Sequence, residues 1–134
     1  MQIRRTAALL ATATSLLAAG GASASPTASL TIQRTANNEC RMVVSASTTT
    51  PVSYPGRVVV WVYGADDWSA DDFLGGPFQF GFDQSFANVF WMPGGCSALN
   101  EDWGTDEIYA AMDIYNGQNK FIEELRSNTW SGSF

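Results

Sequence analysis

The chain has 134 residues, of which 46% are hydrophobic, 13% aromatic and 15% charged, a composition that excludes collagenous, disordered and multi-span membrane proteins and allows one folded domain. It contains no histidine and carries a formal net charge of −6. The first fact removes Ser-His-Asp and Cys-His catalysis and His-ligated zinc, and the second makes nucleic acid and anionic lipid poor partners.

At the N-terminus Arg4 and Arg5 precede an uncharged Ala, Leu and Thr run from Thr6 to Leu17, and Ala22-Ser23-Ala24 supplies a small-x-small cleavage site. This pattern predicts a secretory signal peptide over residues 1–24 and a single extracellular domain over 25–134, since the run is too short for the roughly 20 residues of a spanning helix. Thr6 and Ala7, following the arginine pair, fit Sec rather than twin-arginine export. Cleavage would leave five basic residues against 13 acids, a net charge of −8.

Strand signals follow, without helical periodicity, and predict seven strands. Leu30 and Ile32 alternate in the first; Cys40, Met42, Val44 and Ala46 alternate in the second. The third, Arg57 to Tyr63 (RVVVWVY), reads as apolar on both faces and hence as a central strand covered on two sides. Phe78, Phe80 and Phe82 share one face of the fourth, and Phe86 to Met92 form the fifth. Ile108, Ala110, Met112 and Ile114 alternate in the sixth, and after the Asn116-Gly117 turn signal the seventh covers Phe121 to Arg126. Cys40 and Cys96 are the only cysteines, and in an exported chain they have one intramolecular pairing, which should be oxidised. The expected fold is all-β: an antiparallel seven-stranded sandwich of immunoglobulin-like or C2-like type with one disulfide, an up-and-down barrel being the alternative.

Two loops share an acid-Asp-Trp-small-x-Asp-acid pattern: Asp66-Asp67-Trp68-Ser69-Ala70-Asp71-Asp72 and Glu101-Asp102-Trp103-Gly104-Thr105-Asp106-Glu107. In strands of alternating direction, the loop after the third and the loop before the sixth leave the same end, beside Asn37, Asn38 and Glu39 and beside both cysteines. Crowded carboxylates need solvent, protons or a cation to relieve their repulsion. The eight acids Asp66, Asp67, Asp71, Asp72, Glu101, Asp102, Asp106 and Glu107 are therefore either solvated turns or ligands of Ca²⁺, a cation that takes six to eight oxygens.

Val62 to Gly75, VYGADDWSADDFLG, resembles the third calcium-binding loop and following strand of C2 domains. The resemblance implies that Asp66 and Asp72 occupy two calcium-ligand positions, while Gly64 stands where the first aspartate would be.

Carboxylate pairs for glycoside hydrolysis exist among Asp66, Asp72, Glu101, Glu107, Glu123 and Glu124, but a domain this small seldom builds a sugar cleft around an acid of raised pKa, and no enzyme is expected. Trp68, Trp103 and Trp130 are candidate exposed stacking platforms, whereas Trp61 and Trp91 read as core or core edge. Phosphate-loop and dinucleotide fingerprints are lacking. The sequence thus points to a small acidic binding module, monomeric by default, stabilised by calcium through its two Asp/Trp loops; the alternative is a calcium-independent module for an extracellular protein or glycan.

Overall fold

The computed structural model describes residues 27–67, 69–100 and 104–134. The expected signal peptide, Trp68, Glu101, Asp102 and Trp103 lie outside the described residues.

Eight strands form, one more than expected: β1 (Thr27–Arg34), β2 (Cys40–Ser47), β3 (Arg57–Gly64), β4 (Asp72–Gly81), β5 (Ser85–Trp91), β6 (Asp106–Tyr115), β7 (Phe121–Arg126) and β8 (Trp130–Gly132). They pair antiparallel throughout in two sheets, one ordered β1-β2-β5 and the other β4-β3-β6-β7, with β8 also on β6. A 3₁₀ turn, Cys96–Leu99, is the one helical element among the described residues.

The extra strand follows from a mismatch of lengths. β7 pairs only with Ala111 to Tyr115 of β6, and the Asp106 to Ala110 stretch of that edge lies beyond its reach. Ser127 bridges the step: its N–H donates to the Ala110 carbonyl at 2.9 Å and its hydroxyl accepts the Ala110 N–H at 2.8 Å. β8 then pairs Trp130 with Ile108 and Gly132 with Asp106. β7 and β8 are thus two pieces of one edge.

β4 begins earlier than its phenylalanines suggest, with Asp72 opposite Gly64 and Phe73 opposite Tyr63, and the register shifts between Val60–Phe78 and Val62–Gly75 absorb Gly76 and Pro77. Gly76 has φ 116°, and a Cβ there would stand 2.7 Å from the Val60 carbonyl oxygen, so only glycine lets β4 fold this closely onto β3.

Period-2 alternation sends Val58, Val60 and Val62 of β3 and Ile108, Ala110, Met112 and Ile114 of β6 inward to meet Leu30, Ile32, Met42, Val44 and Ala46. On the β4–β5 side the gap is filled by Phe78 stacked on Phe90 at 4.3 Å and Phe80 on Phe86 at 5.6 Å. On the other side Asn128 clips β1: its Oδ1 accepts the Leu30 N–H at 2.9 Å and its Nδ2 donates to the Leu30 carbonyl at 3.0 Å. That pair satisfies the outward N–H and C=O of a buried residue on an edge strand. Cys40 and Cys96 are bonded and wholly buried.

The other face of β3 departs from the sequence reading. Arg57, Trp61 and Tyr63 are only half-buried, Val59 between them is 6% exposed, and among the described residues no second sheet lies over this face. β3 is central within its sheet but covered on one face alone.

Candidate functional site

The loop end and the outer face of the larger sheet are the two regions where chemistry-bearing side chains gather. At the loop end, the Ala65 N–H donates to the Glu107 carbonyl at 2.7 Å, tying the start of one acidic segment to the other. Arg34, at the end of β1, reaches the Ser133 carbonyl at 3.4 Å, and the Cys96 N–H reaches the Asn38 carbonyl at 3.0 Å, so the loops expected at one end do meet there.

Two of their acids, Asp66 and Asp71, are engaged by protein donors. Asp66 accepts the Ser69 hydroxyl at 2.8 Å, and its own N–H donates to Asp71 Oδ1 at 3.1 Å. Asp71 Oδ2 accepts the Tyr109 hydroxyl at 2.6 Å. These donors, Tyr109 first and then the Asp66 N–H, hold the Asp71 carboxyl below its ordinary value. Conversely, burial and then the Asp71 carboxylate push the Tyr109 phenol up to about 12. Asp106 is only 2% exposed, whereas Asp67, Asp72 and Glu107 face solvent. Among the described residues no three acidic or cysteine side chains are grouped to hold a metal ion. Trp130 is half-buried against the core and stacks on Phe134 at 5.2 Å.

The outer face of the larger sheet holds a groove of about 450 Å³ whose walls follow from strand register. One cross-strand row runs Trp61 (β3), Ala111 (β6), Arg126 (β7), so the small Ala111 side chain makes a floor between an indole and a guanidinium. The next row along places Tyr63 opposite Tyr109, their rings stacked at 5.5 Å, with Arg126 Cζ 3.6 Å from the Tyr109 centroid. Phe73 extends this aromatic row onto β4, 6.0 Å from both Tyr63 and Trp61, and is 56% exposed. Four strands at roughly 4.8 Å spacing give the row a reach of about 14 Å.

The opposite end is closed by Asp113 on β6 and Glu124 on β7, directly paired across the ladder. Burial pushes the Glu124 carboxyl up from its ordinary value, and its hydrogen bond to Asp113 and the charge on that carboxylate act in the same direction. The remaining oxygen of Asp113, Oδ1, is buried without a hydrogen-bond partner.

The sequence reading singled out neither Trp61, Tyr63, Phe73, Tyr109 and Arg126 nor the Asp113–Glu124 pairing. The signal was present in the alternation of RVVVWVY, whose even positions Val58, Val60 and Val62 face in and whose odd positions carry Trp61 and Tyr63 outward. Compared with known proteins, the chain matches no family model and no curated protein sequence.

Proposed function

We propose that the protein is a secreted, non-catalytic glycan-binding module of immunoglobulin-like β-sandwich type, whose ligand surface is the groove on the outer face of the β4-β3-β6-β7 sheet. The observation that carries this reading is the Trp61–Ala111–Arg126 row, a floor one alanine wide between an aromatic plane and a five-donor guanidinium. Aromatic planes and side-chain polar groups converging on one cleft are what a polyhydroxylated ring requires, with one apolar face and a rim of hydroxyls. The sheet ladders use the backbone N–H and C=O groups beneath the groove, so an extended peptide would find no main-chain partner there. Support for the immunoglobulin-like type comes from the β1-β2-β5 sheet facing one centred on β3 and β6, with the fourth strand joined to the third rather than to the fifth.

A non-catalytic role is supported by the carboxyl geometry. Asp113 and Glu124 are directly opposed across one ladder step, and the sequence has no histidine to serve as the usual general base near neutral pH. The test is calorimetric titration of the protein with soluble glucose, xylose, mannose and glucosamine oligomers, repeated with Trp61→Ala. Binding of at least one oligomer, weakened by the substitution, is expected. Failure of every oligomer to bind, or binding indifferent to Trp61, would refute the reading.

A further inference from the structure

We infer that Phe121 is a second stacking platform on this sheet face, and that the ligand is a saccharide chain without anionic groups, lying along the strands from Trp61 to Phe121. This inference rests on the glycan-binding reading above and extends it beyond the groove.

The face is built in rows two residues apart along the strands. Beyond the Trp61–Ala111–Arg126 row come Gln79 on β4, Val59 on β3, Asp113 on β6 and Glu124 on β7, and beyond those Gly81, Arg57, Tyr115 and Phe121 on the same four strands. The last row repeats the chemistry of the Tyr109 end: Arg57 Cζ lies 4.1 Å from the Tyr115 centroid, as Arg126 Cζ lies 3.6 Å from that of Tyr109. The Phe121 ring meets the Tyr115 ring nearly at a right angle, at 5.8 Å, and stays 51% exposed. Arg57 in turn donates to Asn119 Oδ1 in the turn between β6 and β7, so each side chain behind Phe121 is itself held. A ring ordered in advance costs a ligand less on binding.

Spacing and polarity then say what spans the two platforms. Trp61 and Arg57 stand two rows apart on β3, about 13 Å at the rise of an extended strand, which is farther than one sugar ring covers. The row between them sets the buried Val59 among polar side chains, with Gln79 and Glu124 facing solvent. Sugar hydroxyls donate to carboxylates and accept from an amide, whereas an apolar chain would leave those groups unpaired. Sulfated or carboxylated glycans would meet like charge there, on a chain of net charge −6. An aromatic row, a polar row and a second aromatic row thus suit a chain whose ring faces are apolar and whose edges carry hydroxyls. Phe73 extends the groove across the strands instead, and so serves as the control.

The experiment is calorimetric titration with glucose, xylose, mannose and glucosamine oligomers, each as the disaccharide, which is shorter than the span between platforms, and as the hexasaccharide, which is longer. For at least one series the hexasaccharide should bind wild type about tenfold or more tightly than the disaccharide. Phe121→Ala should bring the two lengths to within about twofold of each other. Phe121→Tyr keeps the ring and should retain the difference, and Phe73→Ala should leave the ratio as it is. Equal affinity of the two lengths, or a length gain that survives Phe121→Ala or disappears in Phe73→Ala, would overturn the second platform and leave the glycan reading standing. A dimer in sedimentation that Phe121→Ala dissociates would overturn it too, because a second copy would then cover the ring. Failure of every oligomer to bind would overturn both.

Discussion

The two outer faces of the sandwich occupy equivalent places in the fold and differ in chemistry. On the three-stranded sheet, Thr27 bonds Ser47 at 2.7 Å and Ser29 bonds Ser45 at 2.6 Å, so hydroxyls satisfy one another at one end of the face, while at the other Trp91, 53% exposed, stands opposite Arg41. On the larger sheet, aromatic rings, a guanidinium and a carboxyl pair surround a single small residue. Two similar ladders thus produce different surfaces, and the difference lies in which side chains the register sets opposite each other, a groove around Ala111 forming only on the larger sheet among the described residues. A hydroxyl beside a hydroxyl consumes its own bonding capacity, whereas an indole and a guanidinium separated by an alanine leave theirs available to a ligand.

The largest effect comes from loosening the frame both faces share. Cys40→Ser and Cys96→Ser should each lower unfolding free energy by about 2 to 4 kcal/mol in denaturant titration, since each opens the same loop. The sequence separation is 56 and both sulfurs are wholly buried, so the two variants should agree.

Next in size is a like-for-like substitution on the two faces. Ala111→Phe fills the floor of the groove and should reduce oligosaccharide affinity by about tenfold or more, roughly 1.4 kcal/mol. Ala87→Phe, opposite Ser45 on the smaller sheet, should leave affinity unchanged. Equal losses from both would erase the distinction between the faces.

What could be read from the chain alone was whatever depends on one strand at a time. Alternation fixed which side of β2 and β6 faces inward, and the cysteine pair was unambiguous with two residues to join. Cross-strand placement was not legible: Trp61 beside Ala111 beside Arg126 exists only once β3, β6 and β7 are in register. Gly75-Gly76-Pro77 looks like a turn, yet it is a bulge within β4. β8 is three residues with a glycine, too short for any periodicity. The acidic loops were conspicuous by composition, and the structure brings their bases together while engaging Asp66 with Ser69 and Asp71 with Tyr109.

A smaller effect separates the faces by pH. Glu124 has a raised folded-state pKa, so its contribution to stability is present below its ordinary 4.5 and is lost as pH rises through the raised value. At neutral pH, Glu124→Gln should therefore stabilise the protein by about 0.2 to 1 kcal/mol, by removing a like-charge cross-strand pair. Asp71 runs the other way: its pKa is lowered, and its contribution is present above 3.8 and lost as pH falls through the lowered value. Stability measured against pH in wild type and Glu124→Gln should diverge on the alkaline side of 4.5 and coincide below it.

The smallest effect expected is that of calcium on the loop end. With Asp66 and Asp71 already bonded within the protein, millimolar calcium should raise the melting temperature by no more than about a degree. A larger rise, removed by Asp72→Asn, would establish the loops as a cation site of the kind that the resemblance to C2 domains implies.

The most direct measurement is residue-by-residue NMR during titration with a glucosamine oligomer. Shifts of the Trp61 indole N–H, the Ala111 methyl and the Arg126 side chain, with Thr27, Ser29, Ser45 and Ser47 unmoved, are expected. Shifts confined to the smaller sheet or to the acidic loops, with Trp61 and Ala111 unmoved, would contradict the assignment of the groove as the ligand surface.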